Sequence, residues 1–165
     1  MTAALTNATT LVRLRFQELT QRSSAIARLR CIGTASRWDQ GELWTETRFE
    51  LIELDKGSLP NLVTVRTLRG NDGHLRSHVD GVPQFRTGED VYLFLWAREG
   101  EPYRVLGWTQ GTFRIARNPA TGLESVTQDS ASASIFDRQT REFRRTGIRN
   151  LPIAIFQLKL RKALL

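Results

Sequence analysis

The sequence predicts an all-β fold with minor α content, a curved antiparallel sheet wrapped around one central strand. Three observations carry this. Seven apolar residues, Val91 to Ala97, run unbroken between polar turn-like stretches. That is the length of a strand buried on both faces, and far too short to span a bilayer. Two long alternating stretches, Ala25 to Trp38 and Leu43 to Leu54, flank a hairpin signal at Asp39-Gln40-Gly41. Strands of that length suit a sheet that closes on itself as a barrel, or a sandwich. Helical patterns are confined to two short segments near the ends.

In chain order, Phe16 to Gln21 is a short helix, with Leu14, Phe16 and Leu19 toward the core and Ser23-Ser24 ending it. With Thr9 to Val12 before it, this reads as a lid or plug. The first long strand puts Ala27, Leu29, Cys31 and Gly33 on one face and Arg28, Arg30, Thr34 and Ser36 on the other. Asp39-Gln40-Gly41 is expected to form a three-residue hairpin loop with Gly41 left-handed. The return strand alternates Thr45, Thr47, Phe49 and Leu51 with Glu46, Arg48 and Glu50. Leu62 to Leu68 is a third strand, 69–77 a polar loop, and His78 to Pro83 a short edge segment. After the central strand, Tyr103 to Trp108 is expected as a strand, with Gly107 and Gly111 marking a bulge. Thr112 to Arg117 and Glu124 to Thr127 pair across Asn118-Pro119-Ala120-Thr121-Gly122. Asp129 to Ser134 is a loop, and Ile135-Phe136 and Glu142-Phe143 make a small hairpin. A C-terminal helix, about 151–163, opens with Asn150 as cap and Pro152 in its first turn. Phe156, Leu160 and Leu164 form its inward stripe.

The 165 residues fit one domain, spanning 9–165. Residues 1–8 read as a signal-peptide remnant or disordered tail, because Ala3-Ala4-Leu5-Thr6-Asn7-Ala8 has the small-residue look of a signal-peptide end. Composition excludes a disordered chain, with 40% hydrophobic and 25% charged residues. The net charge is +7, and lysine occurs only at Lys56, Lys159 and Lys162. The arginines are spread along the strands, so the basic balance reads as a solvated strand face more than a polyanion site. The single cysteine, Cys31, makes an intrachain disulfide impossible and reads as a small buried residue.

The chain resembles a family of uncharacterised exported bacterial proteins. The resemblance rests on Ala8 to Leu14, Ser36-Arg37-Trp38, Trp44 to Thr47, Leu54 to Gly57, Val79 to Phe85, Gly88 to Leu95 and Gln110 to Ile115. It implies an OB-like, closed or partly open antiparallel β-barrel of five to seven strands, in the manner of netrin-like and metalloprotease-inhibitor domains. It also implies a periplasmic or secreted location, or a cytoplasmic one if residues 1–8 are the true N-terminus. The N-terminal cysteine with which metalloprotease inhibitors chelate zinc is missing.

Catalytic motifs are absent: no Gly-x-Ser-x-Gly, His-Glu-x-x-His, Cys-x-x-Cys or phosphate-cradling loop ahead of a helix. No catalytic residue, cofactor or metal site is therefore expected. The histidines, His74 and His78, lie four apart but in a loop context with no third ligand placed by any motif. A metal-dependent hydrolase using them is the third reading. Aromatics interleaved with arginine (Trp38, Trp44, Arg48, Arg66, Trp96 and Trp108) are what a single-strand nucleic-acid surface on an OB barrel would use; that is the second reading. The first is a non-enzymatic, extracytoplasmic binding domain for an unidentified protein or small ligand. Its candidate surface comprises Arg69, His74, Arg76, His78, Trp38, Trp44 and Trp108, with loops 70–78 and 98–102 the first to test, because binding residues concentrate on loops held by a rigid scaffold.

Overall fold

The structure is a computed structural model describing residues 10–68 and 81–165. The chain runs α1 (Phe16–Arg22), β1 (Ala25–Asp39), β2 (Glu42–Lys56), β3 (Leu62–Leu68), β4 (Asp90–Trp96), β5 (Arg104–Val105), β6 (Thr112–Arg117), β7 (Glu124–Gln128), β8 (Ile135–Asp137), β9 (Glu142–Arg144), β10 (Leu151–Pro152) and α2 (Ile153–Ala163). Short 3-10 turns occupy Trp108–Gly111 and Asp129–Ser132. Eight strands form one sheet and β8–β9 a separate hairpin. The fold is mostly antiparallel β with two helices. Its strand count exceeds the five to seven expected, because β6, β7 and β10 extend the sheet beyond β4.

The apolar run is the middle of the molecule. Val91, Leu93 and Leu95 pack with Ala27, Leu29 and Cys31 of β1, Phe49 of β2 and Val65 of β3. Tyr92 and Phe94 point the other way, into a second cluster with Leu19, Phe113, Phe156 and Leu160. Val91 to Leu95 are wholly buried. Two covered faces explain why the run does not alternate with polar residues. Phe16 of α1 seals the second cluster, meeting Phe94, Phe113 and Phe156 edge-on at 5.8–6.0 Å. That second layer also buries Ile26, so the start of β1 is covered on both faces and becomes half-exposed only further along.

β4 pairs with β1 along one edge and forks along the other. Val91 to Leu93 pair with β6, while Leu95 and Trp96 pair with Val105 and Arg104 of β5. Between β5 and β6 the chain must step sideways over a very short distance. Gly111 makes this possible: a Cβ there would sit 2.1 Å from the Leu106 carbonyl oxygen. The expected strand Tyr103 to Trp108 therefore stops at Val105. Gly107 and Trp108 follow in the left-handed region, with φ of 66° and 55°.

β3 reaches toward the same place. Val65 forms an isolated parallel bridge with Tyr103, and the Arg66 N–H donates to the Tyr103 carbonyl at 2.8 Å.

Other local expectations are corrected. The β1–β2 hairpin closes on a two-residue loop, because Asp39 pairs with Glu42 and both Gln40 and Gly41 are left-handed. Residues 81–85 are not a strand, although Val82, Pro83 and Phe85 are buried. Asp129 to Ser134 begins with a 3-10 turn. Asn150 does not cap α2: Leu151 and Pro152 first pair with β7, and Pro152 occupies the N-cap position without a side-chain cap. No helix among the described residues is long and apolar enough to cross a membrane.

Candidate functional site

The outward side chains of β2, β3, β4 and β5 converge where the β1–β2 hairpin approaches the β4–β5 loop. On β2, Phe49 packs into the first core cluster, and alternation puts Trp44 and Glu46 on the opposite face. Cross-strand pairing sets Glu46 opposite Arg66, Trp44 opposite Leu68, and Trp96 opposite Arg104. The Arg104 guanidinium carbon lies 5.0 Å from the Trp44 ring centre and 5.5 Å from that of Trp96. Arg66 lies 5.5 Å from the Trp44 ring. Such contacts contribute about 0.5–2 kcal/mol each, more where water is excluded.

Between these groups lies a cleft of about 130 Å³, completed by Val82, Val105 and Trp108. Trp108 reaches it from a backbone conformation that bulky residues avoid, at a cost of about 1–3 kcal/mol. Its surroundings hold it there. The Thr112 hydroxyl donates to the Trp108 carbonyl at 2.9 Å, and the Thr109 N–H donates to the Gly81 carbonyl at 3.1 Å.

The two arginines differ. Arg66 is committed, donating to Asp39 at 2.8 Å and to Glu46 at 2.9 Å. The Glu46 hydrogen bond, followed by the Asp39 one, outweighs burial and holds its pKa above the usual arginine range. Its Nε is nevertheless buried without a partner. Arg104's one ionic neighbour among the described residues is Glu101, at 3.8 Å.

No family model, curated protein or solved structure matches the chain.

Of the residues expected at the site, the structure brings Trp44 and Trp108 together in the cleft. Trp38 is half-exposed on the hairpin, paired with Leu43, and does not line the cleft. Arg69, His74, Arg76 and His78 lie outside the described residues, as does loop 70–78. Arg66 and Trp96, singled out as nucleic-acid candidates, line the cleft; Arg48 does not. Sequence reasoning missed Arg104. Its signal was the pairing of Trp96 with the residue after Tyr103, which requires knowing that the short β5 exists.

Among the described residues, no group of three or more His, Cys, Asp or Glu side chains is placed to hold a metal ion. Burial pushes the Cys31 thiol up, which keeps it protonated and unreactive. A second polar cleft holds Arg28, Arg30, Arg114 and Arg117 beside Glu89, Asp90 and Glu124. There the charges neutralise one another. Arg28 bridges Asp90 and Glu124 at 2.9 and 2.8 Å, and Arg114 binds Glu89 at 2.6 Å. Burial alone would raise the Asp90 pKa, but hydrogen bonds from Arg30 and Arg28 outweigh it and hold it below the ordinary range.

Proposed function

We propose that the chain is a non-enzymatic binding domain on an OB-like barrel, acting outside the cytoplasm, and that the tryptophan–arginine cleft is its ligand site. The barrel reading is supported by the strand circuit β1–β2–β3–β5–β4–β1, in which the Val65–Tyr103 bridge is the one weak link. In OB folds, ligands are taken by the face of the second and third strands between the first hairpin loop and the loop after the fourth strand. The cleft takes Trp44, Arg66 and Leu68 from β2 and β3, which supports that reading. The single observation that carries the reading is the placement of Trp44 and Trp96 against Arg104, with Trp108 lining the same cleft. Two tryptophans stacked on one cation, beside a third held in a strained conformation, are a costly arrangement for mere coverage of a sheet face.

The nucleic-acid alternative is less well supported. Base stacking needs open ring faces, and Trp44 is only 9% exposed with two guanidinium groups against it.

The test is a fragment screen read by the indole N–H resonances of the protein's four tryptophans. Fragments that shift Trp44, Trp96 and Trp108 together while leaving Trp38 in place are the expected result. Hits that cluster elsewhere, or none at all, overturn the assignment of the site. The extracytoplasmic placement rests on the family resemblance and is checked by cell fractionation of the full-length tagged protein. Recovery in the cytoplasm alone overturns it.

A further inference from the structure

We infer that the cleft recognises a carboxylate carried on a single ring or short apolar group. This rests on the reading of the cleft as the ligand site and adds the chemistry of the ligand.

The unfilled donors of Arg104 point to an anion. Two guanidinium groups line the cleft: Arg66, which Asp39 and Glu46 answer, and Arg104, which has no carboxylate within hydrogen-bond distance among the described residues. Arg104 differs in this from Arg28 and Arg114 of the second cleft, each of which acidic residues answer within 3 Å. Stacking leaves the rim of a guanidinium, with its fork of N–H donors, for acceptors lying in its own plane. Arg104 is held in this way, and its Glu101 neighbour at 3.8 Å is beyond hydrogen-bond distance. The planar, two-oxygen carboxylate matches the fork geometry.

Size and lining define the remainder of the ligand. A cavity of roughly 150 Å³ accommodates benzene. The cleft's 130 Å³ therefore takes about one ring or a branched aliphatic group, and not a nucleotide or an oligosaccharide. Its other walls are Leu68, Val82, Val105 and the Trp108 indole. A free aromatic or branched-chain acid and the C-terminal carboxylate of a polypeptide ending in an apolar residue share this chemistry.

The experiment titrates the intact protein with phenylacetate and, separately, with phenylacetamide, following the tryptophan indole resonances. A third arm compares a short peptide ending in phenylalanine with its C-terminally amidated form. The acid is expected to bind at least tenfold tighter than its amide, and Arg104→Gln to remove most of that difference while Arg145→Gln preserves it. A free-C-terminus peptide binding tenfold tighter than phenylacetate identifies a polypeptide end as the source; equal or weaker binding identifies a small acid. Equal affinity for acid and amide in the wild-type protein overturns the inference whether or not the Arg104 variant folds. So does the absence of any shift up to about 10 mM of every carboxylate probe, a concentration that detects even millimolar binding. If neutral fragments still shift the three cleft tryptophans, the carboxylate inference falls alone. If nothing does, the ligand-site reading falls with it.

Discussion

Replacing Gln110 with alanine is expected to cost about 2–4 kcal/mol and to release the segment before α1. Gln110 is 2% exposed and ties that segment to the sheet. Its side-chain oxygen accepts the Leu14 N–H at 2.6 Å, and its amide donates to the Val12 carbonyl at 2.8 Å. Its own carbonyl accepts a 2.6 Å hydrogen bond from Gln128, whose side-chain oxygen accepts the Ile148 N–H at 3.2 Å. Truncation removes two hydrogen bonds, about 1 kcal/mol each, and leaves two backbone groups unmatched. Val12 and Leu14 are half-buried, so water recovers part of the further cost of about 1–3 kcal/mol per group. Urea unfolding measures the global loss. Amide exchange at Arg13, whose N–H donates to the Phe136 carbonyl at 2.8 Å, measures local release. If about 2 kcal/mol of the loss is local, protection there falls about thirtyfold. Gln110→Glu keeps the acceptor for Leu14 but sets a carboxylate against the Val12 carbonyl, and is expected to lose protection as well. A global loss below about 0.5 kcal/mol with Arg13 protection unchanged refutes the reasoning. It would mean that the Arg13–Asp137 ion pair and the Val12–Phe136 bridge hold the segment without Gln110.

Asp55 is the second test. Burial, reinforced by Glu53 and opposed by Arg161, raises its pKa from the ordinary 3.8 to about 6. The folded protein therefore holds the proton more tightly than the unfolded chain, and stability falls as pH rises from about 4 to 6. Asp55→Asn is expected to be neutral below that window and to stabilise above it by about 1–2 kcal/mol, after discounting for the open side of the carboxyl; a flat difference across pH in urea unfolding counts against it. Gly111→Ala sets a Cβ 2.1 Å from a backbone oxygen that cannot rotate away, and should cost about 3 kcal/mol or more in thermal unfolding. Phe94→Ala opens the wholly buried second cluster against Phe16 and Phe113 and should cost about 3–5 kcal/mol by the same measurement.

The elements legible in the sequence were those set by local signals. The limits of β3 follow from alternation between two polar stretches, and β4 from an apolar run of strand length. The β1–β2 hairpin follows from its glycine, though its loop length does not. Elements that stayed hidden depend on contacts distant in sequence. β10 looks like the first turn of a helix until Leu151 and Pro152 meet Val126 and Ser125. Trp108 reads as a strand residue because the fork in β4, which forces the chain to turn after Val105, involves β5 and β6 together. At the candidate site, tryptophan content flagged Trp44 and Trp108. Arg104 required the β4–β5 register, and the role of Gln110 required the N-terminal segment to return across the 3-10 turn.

The basic charge is the property most changed in meaning by the fold. Twenty-four Lys and Arg against seventeen Asp and Glu invite a polyanion reading. Yet Arg13, Arg28, Arg30, Arg66 and Arg114 each lie within 3 Å of a carboxylate oxygen. A field able to steer a polyanion needs one sign of charge gathered on one surface, and these pairs break it up strand by strand. Net charge therefore governs solubility, while recognition depends on local imbalance. The tryptophan cleft keeps one such imbalance: Arg66 is paired with Asp39 and Glu46, but Arg104, stacked on Trp44 and Trp96, has no carboxylate within hydrogen-bond distance among the described residues. A small anion gains there from one guanidinium without a close carboxylate more than a long one gains from arginines that are already paired.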